Sequence, residues 1–234
     1  MQIKGLLFDK DGTIFSYSRT WDTWCAVIIE KLSQENNLLA EKLADAIGFD
    51  LASKKILPHS IVISGTNLEL AIHLSKILPD WSPNSLEQFL NKLVVDTPLA
   101  EVTPLKEYFA TLRNYGLKLG VMTNDSENNA FNQLEKAQVD AKLDLDFVAG
   151  YDTGFGAKPS PAPLLAFSQA VDITPSEIAM VGDSMYDLIS GRRAGMKTIG
   201  VLTGFAVKND LIKHADHVLP DISHILKILH KLET

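Results

Sequence analysis

From Pro104 to Pro220 the chain repeats one alternation, a helical pattern followed by a short apolar run. The runs are LKLGVMT (Leu117–Thr123), a brief piece around Phe147–Ala149, IAMVG (Ile178–Gly182), MKTIGV (Met196–Val201) and HVLP (His217–Pro220). Helices are expected over Leu105–Asn114, Glu127–Ala137, Ala162–Ala170 and Tyr186–Ala194. Strands that are apolar throughout are buried on both faces, so this alternation predicts a parallel sheet with helices packed on either side. Near the start of the chain Ile3–Phe8 has the same character and predicts one more strand of that sheet. At the other end, Asp221 is placed to cap a final helix whose face is Ile222, Ile225, Leu226 and Leu229.

Between the first strand and the alternating region the pattern changes. From Trp21 to about Val95 it is helical: Trp24, Val27, Ile28 and Leu32 share a face, Leu68, Ile72 and Ile77 recur, and Leu86, Phe89, Leu90 and Leu93 form another stripe. Pro58, Gly65, Pro79 and Pro83 fall between these pieces as breakers, and little here reads as a strand. An all-helical stretch that interrupts a strand–helix alternation is an insertion, and the sheet domain is then discontinuous.

Bulk properties narrow the partners. With 234 residues and 46% apolar content the chain supports a sizeable core. Its net charge of −7, with no block of lysine or arginine, argues against a nucleic-acid or anionic-membrane surface. Cys25 is the only cysteine, so neither an internal disulfide nor a multi-cysteine metal site is available. The apolar stretch at the N-terminus is too short for a signal peptide and no run reaches the length of a membrane span. A cytoplasmic location is therefore expected.

In an open parallel sheet, ligands bind beyond the carboxyl ends of the strands. Asp9 and Asp11 follow the first strand in LLFDKDGTIF, Thr123 and Asn124 end GVMTN, and Asp183 ends IAMVGD. Asp187 stands in the first turn of the next helix, and Lys158 lies in the loop GAKPSP. Several carboxylates in one pocket raise one another's pKa values unless a cation is present, and magnesium, a hard ion that shares oxygen ligands with phosphate, is the natural one. Asp9 can then attack phosphorus and form an aspartyl phosphate, while Asp11 passes a proton to the leaving group and later takes one from water. Thr123 and Lys158 are suited to bind the phosphoryl oxygens, with Asn124 as a further substrate contact. Gly12 permits a tight turn and a close backbone approach to phosphate.

DKDGT, the strand-ending Thr123, Lys158 in KPSPAP, and GDSMYD resemble the four motifs of the haloacid dehalogenase superfamily, in the family's order and across essentially the whole chain. The helical insertion after the first motif resembles the cap of its phosphoglycolate-phosphatase-like subfamily. The resemblance implies an α/β fold: a three-layer Rossmann-like core with a parallel sheet, plus an inserted all-helical cap domain. Residues 1–15 and 96–234 would form the core and 16–95 the cap. It also implies the division of labour: Asp9 as nucleophile and metal ligand, Asp11 as acid/base with its main-chain carbonyl on the metal, Asp183 as a third metal contact, and Asp187 on metal-bound water or orienting Lys158. Family dehalogenases lack the second aspartate, so Asp11 favours phosphoryl transfer. Lys10 occupies a position that is often apolar, a mild departure expected to leave the mechanism intact and to alter the surface just behind the site.

The function expected is magnesium-dependent hydrolysis of a small phosphorylated metabolite, with phosphoglycolate favoured by the resemblance. A sugar phosphomutase shares Asp9 and Asp11 and stays open, as does a non-catalytic binding module on the same fold. Monomer and homodimer are equally compatible with the sequence. Trp21 and Trp24 are read as packing residues, Arg19 as a hinge cation or a substrate-carboxylate contact, and Ser64 and Thr66 as a turn and helix cap. The histidines show no metal-ligand spacing.

Overall fold

The computed structural model describes residues 3–57, 60–64, 67–96 and 99–229; the expected breakers Pro58 and Gly65, and Thr66 beside them, lie outside the described residues. The chain divides into two compact units, Met1–Tyr17 with Leu99–Thr234, and Ser18–Pro98.

The first unit is built on β1 (Gly5–Phe8), β2 (Lys118–Met122), β3 (Phe147–Ala149), β4 (Ile178–Gly182), β5 (Lys197–Val201) and β6 (His217–Leu219). They form one sheet in the order β3-β2-β1-β4-β5-β6. Every pairing in it is parallel. Side chains alternate across a strand, and here the alternation sorts residues into two layers. Leu6 and Phe8 pack with Leu119, Val121, Val181 and Phe109 on one face. Leu7 packs with Met122, Met180, Leu164 and Phe167 on the other. These strand residues are fully buried, each stabilising the fold by roughly 1.5–3 kcal/mol. Helices cover both faces, so the layering is helix, sheet, helix: a three-layer α/β fold.

Register sets the position of the polar ends. Phe8 lies opposite both Val121 and Val181, so β1, β2 and β4 end level. The Asp9 N–H donates to the Val181 carbonyl at 2.8 Å and the Thr123 N–H to Ala149 at 3.0 Å. Asp9, Thr123 and Asp183 therefore emerge side by side.

The second unit is mainly helical, with helices Tyr17–Ser33 (beginning one residue before the unit), Asn37–Ile47, Ile61–Ser64, Asn67–Ser75 and Pro83–Asp96. Trp24, Ile28 and Leu32 repeat at i, i+4 and bury against Leu43, Leu74 and Leu90. Trp21 stacks edge-on to Trp24 at 5.1 Å, a packing role for both rings. Asn36 caps the second helix by accepting the Leu39 N–H at 3.1 Å, and Gly48 closes it with a left-handed backbone.

Three local features differ from expectation. In Asn67–Ser75 the buried face is Leu70, Ala71 and Leu74, while Ile72 is 44% exposed. The i, i+4 pair Leu70/Leu74 is the one that meets Leu86 and Leu90. The helical unit also contains a two-residue ladder, Phe49–Asp50 against Lys55–Ile56. Asp50 Oδ1 organises its turn by accepting from Ala52 N at 2.8 Å, and buried Asp22 holds its far strand through Ile56 N at 2.8 Å. Two residues per strand are too few to show a period of two. Finally, Ile222–Lys227 is a 3₁₀ helix rather than an α-helix. Its buried pair is Ile222 and Ile225, a spacing of three that suits three residues per turn, and Asp221 caps it through Ser223 N at 2.8 Å. Among the described residues no helix is long and apolar enough to cross a membrane.

Candidate active site

Asp9, Thr123, Lys158, Asp183 and Asp187 are all buried at the carboxyl end of the sheet, whereas the Asp11 side chain is 44% exposed. They line one pocket with Asn124, Asp125 and Ser184, bordered by Tyr17, Tyr186 and Phe205. Lys158 is its centre. The ammonium donates to Asp9 Oδ1 at 2.5 Å and to Asp187 Oδ1 at 2.6 Å. Asn124 holds that lysine in place: its Oδ1 accepts the Lys158 N–H and its Nδ2 donates to the Lys158 carbonyl, each at 2.9 Å. Asp187 is engaged on its second oxygen too, accepting from Ser184 N at 3.0 Å and Ser184 Oγ at 2.6 Å in a capping box. Thr123 Oγ1 accepts the Asp125 N–H at 3.1 Å, which leaves its hydroxyl proton to donate into the pocket.

Electrostatics here are unbalanced. Asp9, Asp183 and Asp187 place ligand oxygens within 4.8 Å of one another, all three buried. Burial pushes Asp9 up to about 7; Lys158 opposes the rise and Asp187 adds to it. Burial pushes Asp183 up to about 8, with Asp9 and Asp187 adding repulsion. Burial works against the Lys158 charge, but Asp187 and Asp9 outweigh it and hold its pKa above the ordinary value. Among the described residues lining the pocket Lys158 is the one cation, so the buried cluster of Asp9, Asp183 and Asp187 sets three carboxylates against one ammonium. A divalent cation fits that deficit, and the donors are the hard oxygens such an ion takes.

The backbone around Asp183 is shaped to the same end. Gly12 has φ +85°, and a Cβ there would lie 2.5 Å from the Asp183 carboxyl carbon. On the other side a Cβ at Gly204 would lie 1.6 Å from Asp183 Oδ2. The Thr203 hydroxyl donates to the Gly12 carbonyl at 2.6 Å and thereby joins the loop after β5 to the turn after β1. The carboxylate sits in a cradle that only glycines leave open.

Ser184, Thr203 and Gly204, and Thr13, whose hydroxyl donates to Asp183 Oδ1 at 3.4 Å, are assigned no role by the sequence reading. Thr203 and Gly204 follow the apolar run IGVL, so the rule that ligands collect beyond strand ends was the available signal. Lys10 stands differently from expectation: it is fully buried rather than a surface feature behind the site. Its ammonium meets Asp11 Oδ2 at 2.7 Å and Asp125 Oδ2 at 3.0 Å, and donates to Gln133 Oε1. Burial alone would lift Asp125, but Lys10, with the Ser126 and Asn129 N–H donors, holds it below the usual carboxylate range.

Comparison with known proteins gives a consistent picture. A family profile described as "Haloacid dehalogenase-like hydrolase" matches residues 6–201. A phosphoglycolate phosphatase of Aquifex aeolicus is 27% identical over 229 residues, covering 96% of this chain and 95% of the relative. A putative pyrophosphatase PpaX of Caldanaerobacter subterraneus is 25% identical over 233 residues, covering 98% and 96%. Among solved structures, a putative beta-phosphoglucomutase from Thermotoga maritima superposes with a TM-score of 0.70 at 16% identity, covering 98% of this chain and 99% of that one. At that identity the last comparison speaks to fold alone.

Proposed function

This chain belongs to the haloacid dehalogenase-like hydrolase family, and from that membership and its site we propose a magnesium-dependent phosphatase that hydrolyses a small phosphomonoester through an aspartyl phosphate on Asp9. One observation carries the reading: the Lys158 ammonium bridges Asp9 and Asp187 beside the buried Asp183, in a pocket short of positive charge. Lys158 engages Asp9 Oδ1, which leaves Oδ2 as the attacking oxygen.

In the first half-reaction Asp9 Oδ2 forms a bond to phosphorus as the ester P–O bond breaks. The departing alkoxide takes the proton of the Asp11 carboxyl group. In the second, water attacks the phosphoryl group and gives a proton to the Asp11 carboxylate, and the bond from Asp9 to phosphorus breaks to release phosphate. Thr123 and Lys158 donate to the phosphoryl oxygens throughout, and Asn124 serves substrate binding by fixing the Lys158 backbone. Gly12 allows the turn to approach the phosphate closely. Asp9, Asp183 and the Asp11 carbonyl, with Asp187 alongside, would hold magnesium, which would supply the positive charge that keeps Asp9 and Asp183 ionised and screens the phosphoryl oxygens. The division into a core of residues 1–15 and 96–234 and a cap of residues 16–95 belongs to the same proposal.

Phosphoglycolate is the favoured substrate because the Aquifex relative carries that name, and pyrophosphate enters the comparison through the second relative. The deciding experiment is a panel of phosphomonoesters and pyrophosphate, assayed for phosphate release with and without magnesium and ranked by kcat/KM. Isomerised sugar phosphate with little free phosphate makes the chain a mutase. No release from any member removes the phosphatase reading.

A further inference from the structure

A lysine between two catalytic aspartates invites repulsion to be neutralised on the spot, yet Lys10 reaches away from Asp9. Its side chain is fully buried; the ammonium donates to Asp125 Oδ2 at 3.0 Å and to Gln133 Oε1, and forms an ion pair with Asp11 Oδ2 at 2.7 Å. Asp125 is in turn held on both oxygens, by Ser126 N at 2.7 Å and Asn129 Nδ2 at 2.5 Å, and its own N–H donates to Thr123. The network therefore runs from the loop after β2, and from the helix Glu127–Lys136, through Lys10 to one oxygen of Asp11. That acid gains from being held: its side chain is 44% exposed, and ordering an exposed side chain costs conformational entropy. A buried ammonium is costly unless it is paired and hydrogen-bonded, and here it has two hydrogen-bond acceptors and two ion-pair partners, one of them the exposed Asp11.

We propose that Lys10 is a positioning residue for Asp11: it anchors Asp11 by Oδ2, in a fixed place at the pocket mouth, so that Oδ1 is presented for proton exchange with the leaving group. The inference rests on the proposed phosphatase reaction and adds to it a residue that touches neither phosphate nor metal. Its consequence is selective. In the first half-reaction misplacing Asp11 matters where the leaving oxygen needs a proton, as in an alkyl ester, and little where it departs as a stable anion; in the second, where Asp11 takes the proton of water, it slows both substrates alike.

The test compares Lys10→Met with the unaltered protein on phosphoglycolate and on para-nitrophenyl phosphate, whose phenolate leaves unprotonated. The quantity read is the pre-steady-state rate of leaving-group release in the first turnover, and the expected result is a fall of about 100-fold with phosphoglycolate against about threefold or less with the aryl ester, while the later breakdown of the phospho-enzyme slows on both. Lys10→Arg, which keeps the charge, should restore most of the alkyl-ester rate. Should Lys10→Met fail to fold, Asp125→Asn decides: it loosens the far side of the anchor while retaining Lys10 and Asp11, and should lower the alkyl-to-aryl ratio in the same direction. Equal losses in first-turnover release of the two leaving groups overturn the positioning role and leave the phosphatase reading standing. Hydrolysis of neither ester by the unaltered protein overturns that reading and this inference together.

Discussion

Asp9 and Asp183 show what a strand end does to a carboxylate. Both are drawn out of water by the sheet beneath them, and their raised values of about 7 and about 8 record the cost of ionising there. Two substitutions probe the arrangement. Asp9→Asn keeps the shape and removes the proposed nucleophile, so phosphate release should fall by about 10⁴-fold or more with an unchanged circular dichroism spectrum; near-normal turnover in a clean preparation removes Asp9 from that role. Gly204→Ala leaves every acid in place but drives a methyl group onto Asp183 Oδ2, 1.6 Å from the added carbon. The half-saturating magnesium concentration should then rise by about tenfold or more, measured by titrating activity against the metal. These residues were legible to different degrees. Asp9, Thr123 and Asp183 follow apolar runs and announce themselves. Gly204 and Lys10 do not, because the meaning of each depends on an atom that another strand brings up beside it.

Among the elements, β2 and β3 show how charge sets a strand's edge. Asp146, just before β3, accepts from Lys118 Nζ at 2.8 Å, Leu119 N at 2.9 Å and Arg113 Nη1 at 3.1 Å. Burial alone would raise its pKa, but Lys118, the Leu119 N–H and Arg113 together hold it below its ordinary value of 3.8. A carboxyl group whose folded pKa is depressed contributes stability above its unfolded value, and that contribution is lost as pH falls through the folded value. Asp146→Asn should therefore lower Tm by about 2–4 °C at pH 7, with the difference closing as the pH is brought below 4. A difference that persists unchanged at pH 3 assigns the loss to packing instead. The strands themselves were readable as apolar runs, and β1 to β6 all coincide with expected ones to within a residue or two. What escaped was short or locally ambiguous: the ladder at Phe49–Ile56 and the 3₁₀ turn at Ile222, where a spacing of three fits two kinds of helix.

For the molecule as a whole, the site's charge deficit would couple binding at the proposed metal site to stability and to pH. Asp9 and Asp183 must shed protons before either binds a cation, so magnesium affinity should rise as pH passes from 6 to 8. At a hundredfold excess over Kd the ion should stabilise the folded state by about 2.7 kcal/mol, seen as an increase in Tm that chelation reverses and that is larger at pH 8 than at pH 6. A Tm indifferent to magnesium at both pH values counts against the proposed metal site. Read alone, the sequence determined the parallel sheet, the helical insertion and the set of acids and cations at strand ends, since alternation and periodicity are local properties of the chain. Only the tertiary structure decided which charges meet. Lys158 finds Asp9 across 149 residues, and Lys10 turns from Asp9 toward Asp125, 115 residues away. Those pairings follow from strand order and from level strand ends, which hydrogen bonds between distant segments set and no local pattern encodes.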